Sequence, residues 1–132
     1  MDILNELNFR IEIAGERLAI AIVQDYETNE VLMAAFINRE AVARTLETGF
    51  MHYFSTSRKK IWFKGEESGH RQAVRDILVD CDGDALLFKV QQVVGSCHKG
   101  YYSCFFRRLK DGKLDIIGEK VFEPRNVYKD KG

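Results

Sequence analysis

Val31-Leu32-Met33-Ala34-Ala35-Phe36-Ile37-Asn38-Arg39-Glu40-Ala41-Val42-Ala43-Arg44-Thr45-Leu46-Glu47-Thr48-Gly49 is the stretch that decides the fold class. Its apolar opening, Val31–Ile37, reads as a buried strand. At Asn38 the period changes. The Asn38 side chain can accept a hydrogen bond from a free amide of a first helical turn. Ala41, Val42, Thr45 and Leu46 then form an apolar stripe at helical spacing, and Glu40 stands four residues before Arg44. Gly49 supplies the left-handed residue that ends such a helix. The spacing predicts one clear helix, about Arg39–Thr48.

On either side the chain breaks into further short β runs: Leu18–Gln24, Phe50–Ser55, Lys60–Lys64, Gln72–Val79, Leu86–Val93, Tyr102–Leu109 and Asp115–Val121. The last two flank Lys110-Asp111-Gly112-Lys113, whose Asp-Gly pair signals a hairpin. The first eight residues suit a short helix, and Lys129–Gly132 reads as a frayed tail. Proline occurs once, at Pro124, and no linker or repeat divides the chain. The class expected is α+β, predominantly β, with residues 1–132 forming one domain.

Composition narrows the function. A chain of 132 residues buries about two thirds of its unfolded surface and needs no disulfide framework. The hydrophobic fraction of 45% and charged fraction of 30% exclude a disordered chain. Lys+Arg and Asp+Glu both number 20, which argues against nonspecific binding to nucleic acid or a membrane surface. The apolar runs Leu18–Val23 and Val31–Ile37 fall far short of the ~20 residues that span a bilayer. Met1 to Arg10 lacks the basic-then-apolar order of a signal peptide. A cytoplasmic protein with reduced thiols is expected.

Two clusters carry chemistry. In Asp80-Cys81-Asp82-Gly83-Asp84 three carboxylates alternate, so an extended chain would turn them to one side. Such charges repel, and either solvent or a divalent cation relieves them. The calcium-loop template fails, because its glycine position falls on Ala85 and its glutamate position on Gln91. Cys97 and Cys104 follow, with His98 beside Cys97 and glycines at 95 and 100. The spacing Cys-x15-Cys-x6-Cys lacks the paired knuckles of a zinc finger. Buried core thiols are one reading. The other is zinc, whose fourth tetrahedral position would stay open for water with three protein ligands. His98 is then the first candidate for proton transfer, or a fourth ligand.

The second cluster runs from Ser55 to His70 and combines hydroxyls, cations and glycines around Trp62. Freed amides with Ser/Thr and Arg/Lys partners are the means of phosphate recognition. A polar hairpin with a solvated basic edge fits equally, since neither a Walker loop nor a dinucleotide fingerprint is present.

In chain order, Val31-Leu32-Met33 with Asn38 and Glu40-Ala41, Thr48-Gly49, Tyr53 and Ser57-Arg58 come first. Trp62-x-Lys64-Gly65-Glu66-x-Ser68-Gly69, Gln72, Asp80-Cys81-Asp82-x-Asp84, Cys97-His98-x-Gly100 and Ser103-Cys104-Phe105 follow. Together they resemble the phosphoribosyl-AMP cyclohydrolase family, enzymes of histidine biosynthesis that open the adenine ring. The resemblance covers about three fifths of the chain. Thr56 stands where the family usually has arginine, and Ser96 and Lys99 stand for alanine and threonine. Gly95 comes one place late, and Tyr101-Tyr102 replaces residues that are often basic.

The resemblance implies a compact, curled mixed or antiparallel sheet in an intertwined homodimer. It implies one zinc per subunit on Cys81, Cys97 and Cys104, with Cys81 contributed by the other subunit. Magnesium would sit on Asp80, Asp82 and Asp84. The substrate would be a small nucleotide, 1-(5-phosphoribosyl)-AMP, whose N1–C6 bond is hydrolysed by zinc-bound hydroxide in the third step of the pathway. His98 would be the acid/base, with Arg58, Lys64, Glu66, Ser68 and Gly69 binding substrate. With the last residue at Gly132, the chain resembles the stand-alone form. A zinc-stabilised interaction module is the rival of another class. A nucleoside deaminase is disfavoured, because H-x-E…P-C-x-x-C is absent.

Overall fold

A computed structural model of the chain describes residues 3–128. It opens with a 3-10 turn, Ile3–Glu6, followed by β1 (Ile11–Ile13), β2 (Glu16–Asp25) and β3 (Val31–Asn38). Helix α1 (Arg39–Thr48) leads into β4 (His52–Ser55) and β5 (Lys60–Phe63). Then come β6 (Gln72–Val79), β7 (Ala85–Gln92), β8 (Arg107–Lys110), β9 (Lys113–Ile116) and the short α2 (Pro124–Val127).

β2 organises a five-stranded sheet. It runs antiparallel to β3 and parallel to β7, with Ile20–Asp25 alongside Ala85–Val90. β6 borders β7, and β1 pairs with the start of β2, both antiparallel. The sheet is therefore mixed. Register shifts at Val23/Gln24 and between Val74 and Asp76 bend the strands that carry them. Alternation along β2 buries Ala19, Ala21 and Val23 against Leu32, Ile37, Phe88 and Val90. Helix α1 lies against β3 and β4 and adds Ala41 and Val42 to that core. Burying each large aliphatic side chain contributes about 1.5–3 kcal/mol before entropy is counted.

Helix α1 has the expected limits and caps. The Asn38 Oδ1 accepts from the Ala41 amide at 2.8 Å, and Gly49, at φ 80°, donates to the Thr45 carbonyl. Arg44 pairs with Glu40 at 2.8 Å. Leu46 does not join the buried stripe; it is 48% exposed, because only the narrower face through Ala41, Val42 and Thr45 meets the sheet.

The Asp-Gly hairpin also forms. Asp111 and Gly112 both have positive φ, as a type I′ turn requires, and Lys110 pairs with Lys113. Its strands are shorter than expected. Tyr102–Phe106 is not β ladder, because its backbone is held crosswise: the Cys104 amide donates to the Leu32 carbonyl and the Ser103 hydroxyl to Val31. Beyond Ile116 the chain leaves the hairpin, with one isolated bridge, Lys120 to Tyr101. The expected N-terminal helix is a 3-10 turn over its described part, and the tail Lys129–Gly132 lies outside the described residues.

Candidate active site

The β4–β5 hairpin and the loop after it form one wall of a cleft of about 520 Å³. Ser55 ends β4, and its hydroxyl accepts from the Arg58 amide at 3.2 Å, which closes the turn that presents Arg58. Trp62 and Phe63 come from β5, and Lys64 to Ser68 follow directly. At Gly65 a Cβ would meet the Arg71 amide nitrogen at 2.7 Å, so only glycine lets the loop fold back this closely. The Gly69 amide donates to the Gly65 carbonyl at 2.8 Å and closes that loop without itself lining the cleft. His98 lines the cleft from the opposite segment.

Arg58, Lys64, Glu66 and Ser68 of the polar cluster therefore share one cavity with His98, which comes from the separate thiol loop. Ser55, Ser57, Glu67 and Tyr128 also line it. The first three lie within the polar cluster already noted. Nothing in the sequence pattern marks Tyr128, which reaches the cleft only through the tertiary fold.

The thiol loop is built on the start of β3. The Ser96 hydroxyl donates toward the Leu32 carbonyl at 3.0 Å and the Tyr102 carbonyl at 2.8 Å. With the Cys104–Leu32 backbone bond, this seats Cys97 and Cys104 in one apolar cluster with Tyr101 and Phe106. Burial pushes the Cys104 thiol up, and the neighbouring Cys97 adds to that; the Ser96 hydroxyl, 3.7 Å away, and the Lys64 ammonium oppose it. Ser96, where the family pattern has alanine, thus supports the thiol directly. Burial lowers the Lys64 ammonium, against the pull of Cys104 and Cys97. Lys64 donates to the Ser96 carbonyl and stands 5.7 Å from the Trp62 ring. The donor set, two adjacent soft thiols beside a cation, fits a thiophilic ion such as zinc.

Cys81 is elsewhere. It is exposed, in the turn between β6 and β7. The Asp84 carbonyl accepts from Ile20, whereas the thiol loop adjoins Leu32, level with Val23 and Gln24 across β2. That offset is roughly 12 Å along the strands and two strand spacings, ~10 Å, across them. Among the described residues, the one grouping of three metal-ligating side chains is Asp80, Asp82 and Asp84, whose ligand atoms lie within 4.8 Å of one another. They converge because the segment turns, not because it is extended: the Asp80 Oδ1 accepts from the amides of Asp84 and Ala85. Arg10 pairs with Asp84 and holds its carboxyl below the usual range. Clustered carboxylate oxygens fit a hard divalent cation.

Residues 33–106 match the family model for phosphoribosyl-AMP cyclohydrolase. The chain belongs to the phosphoribosyl-AMP cyclohydrolase family. It is 58% identical over 126 residues to the phosphoribosyl-AMP cyclohydrolase of Methanothermobacter thermautotrophicus, covering 94% of this chain and 91% of that protein. The enzyme of the same name from Methanosphaera stadtmanae is 55% identical over 92% of this chain and 95% of its own length. That of Methanothrix thermoacetophila is 56% identical over 90% and 96%. As a member of this family the chain is an enzyme, a hydrolase of histidine biosynthesis. No helix among the described residues is long and apolar enough to cross a membrane.

Proposed function

We propose that the chain hydrolyses the N1–C6 bond of 1-(5-phosphoribosyl)-AMP and so opens the adenine ring to the formimino aminoimidazole carboxamide ribonucleotide. The observation that carries this reading is the convergence of His98, Arg58, Lys64 and Ser68 on one cleft, with Lys64 bonded to the loop that holds Cys97.

The substrate fits this chemistry. Alkylation at N1 makes the ring a cationic amidine, so C6 is already electrophilic. Cys97 and Cys104 would hold zinc with Cys81 of a second copy, and the metal supplies a Lewis acid that activates water at neutral pH. Asp80, Asp82 and Asp84 would hold magnesium. His98 would take the proton from the attacking water and return it to the departing N1. Arg58, with the hydroxyls of Ser55 and Ser57, would hold one phosphate. An ammonium has three donors, so Lys64 can serve Ser96 and still meet the substrate. Glu66 and Ser68 would bind ribose hydroxyls, while Gly69 shapes the loop that carries them.

A homodimer is supported by the separation of Cys81 from the other two thiols within one chain. The β8–β9 hairpin agrees with it, since Leu109 is 76% exposed and Ile116 62%. Three free cysteines support a reducing, cytoplasmic setting. Incubation with phosphoribosyl-AMP, with and without a chelator, tests the proposal. The ultraviolet change of ring opening should follow addition of protein and cease with chelation; an unchanged spectrum with metal-loaded protein overturns it.

A further inference from the structure

We infer that Tyr128 contacts the purine of the bound nucleotide, presented to the cleft by a C-terminal strap, Gly118–Tyr128, that lies outside the residues matched by the family model. The inference rests on the reading of this cleft as the substrate site.

The strap is fastened to the thiol loop at several points. A Cβ on Gly100 would meet the Phe122 carbonyl oxygen at 2.7 Å and the Pro124 Cδ at 3.2 Å, so the bare glycine admits the strap. The Val121 amide donates to the Gly100 carbonyl at 2.7 Å, and Lys120 bridges Tyr101. Phe122 stands edge-on to His70 at 4.6 Å, which ties the strap to the loop after β5 as well. Pro124 then starts the single turn of α2, and the Tyr128 amide closes it on the Pro124 carbonyl at 2.8 Å. These contacts deliver Tyr128 to the cavity that holds Arg58, Lys64, Ser68 and His98.

A purine mononucleotide needs cations for its phosphate and a flat apolar surface for its base. Arg58 and Lys64 meet the first need. For the second, Trp62 already packs against Tyr53, with ring centroids 4.9 Å apart. Tyr128 is half-buried, and the ring it adds comes from a different segment of the chain. It is a specificity-determining contact, not a proton donor: the role belongs to the ring, and the hydroxyl is dispensable.

Trp62 is the sole tryptophan, so intrinsic fluorescence reports on the cleft. The experiment titrates AMP into zinc- and magnesium-supplemented wild type, Tyr128→Ala, Tyr128→Phe and Tyr128→Leu, and measures KM and kcat with phosphoribosyl-AMP. Tyr128→Ala should weaken AMP binding and raise KM about tenfold, the scale of losing one base–aromatic stack, with a smaller change in kcat. Tyr128→Phe should restore both. If Tyr128→Ala unfolds, Tyr128→Leu, which keeps apolar bulk without the ring, should still weaken AMP. Wild-type AMP affinity and KM in a folded Ala or Leu variant overturn the inference while leaving the hydrolase reading intact. Tyr128-dependent AMP binding without turnover of phosphoribosyl-AMP overturns the hydrolase reading and leaves the contact standing.

Discussion

The Lys64 ammonium donates a hydrogen bond to the Ser96 carbonyl, 32 residues further along the chain, and so joins the cleft loop to the loop that carries Cys97. A Lys64→Met substitution strands that carbonyl and removes the cation beside Cys97 and Cys104. Turnover should fall ~10–100-fold, the scale of a lost charge-assisted bond, and bound zinc should fall with it. Steady-state kinetics paired with metal analysis checks both. A variant with normal kcat/KM would show that the tie has no part in activity.

Cys97→Ser should abolish zinc binding and turnover while the protein still folds, because the core of β2, β3 and β7 does not depend on that thiol. Elemental analysis, circular dichroism and the ring-opening assay together decide it. Full activity in a zinc-free variant would sink the metal mechanism.

Mixing a Cys81→Ser chain with a Cys104→Ser chain tests shared sites. Each homodimer would lack a complete thiol set, whereas each mixed dimer would keep one. Random reassortment should restore about a quarter of wild-type activity if sites span two copies. No recovery after verified subunit exchange would confine each site to one chain.

The Asp25 carboxylate accepts from the Tyr102 hydroxyl and from the amides of Glu27 and Thr28. Burial pushes its carboxyl up, but these donors outweigh burial and leave it below 3.8. The native state therefore binds fewer protons there than the unfolded chain. The stability this contributes is complete above the unfolded value and is lost as pH falls through the lowered native one. Asp25→Asn should flatten that acid limb. Urea midpoints measured from about pH 5 down to about pH 2 would reveal it, and an unchanged slope would contradict it.

Asn38→Ala removes the helix cap and also the Asn38–Glu16 bond of 2.8 Å. A cost of about 1–2 kcal/mol is expected, read as a fall of several degrees in Tm. Asn38→Ser keeps a cap acceptor without setting a second carboxylate against Glu16, and should lose less, since serine caps about as well as asparagine does. Equal losses in the two variants would assign the effect to the Glu16 bond instead.

What was legible in the sequence is what local physics decides. Asn38, the 41/42/45 stripe and Gly49 specify α1 within one segment, and β6 has the limits its pattern indicated, Gln72–Val79. Strand β1 has no turn signal in the sequence, because its turn is Ala14-Gly15, positive in φ at both positions like Asp111-Gly112 but without the side-chain signal of an Asp-Gly pair. Tyr102–Phe106 reads as strand because it is aromatic, yet Val31, 72 residues before Ser103, claims its hydrogen bonding. The same limit governs the site. Arg58, Lys64, Ser68 and His98 were visible as residue types that suit phosphate and proton transfer. Ser96 and Tyr128 were not, since a serine beside a cysteine and a tyrosine beyond the hairpin acquire roles only through distant neighbours.

Cys81 stands before the start of β7, while the chain beyond β7 turns back and holds the thiol loop level with the middle of that strand, roughly 12 Å along the strands and two strand spacings across. In the shared-site reading, that offset would keep the thiols of one chain from closing on a single ion. If the three thiols act as one set, a solitary molecule can grip zinc only in part. Loading then becomes an event of encounter, and the measured zinc affinity should rise with protein concentration. Dilution alone, with no chelator present, would be enough to let the ion go.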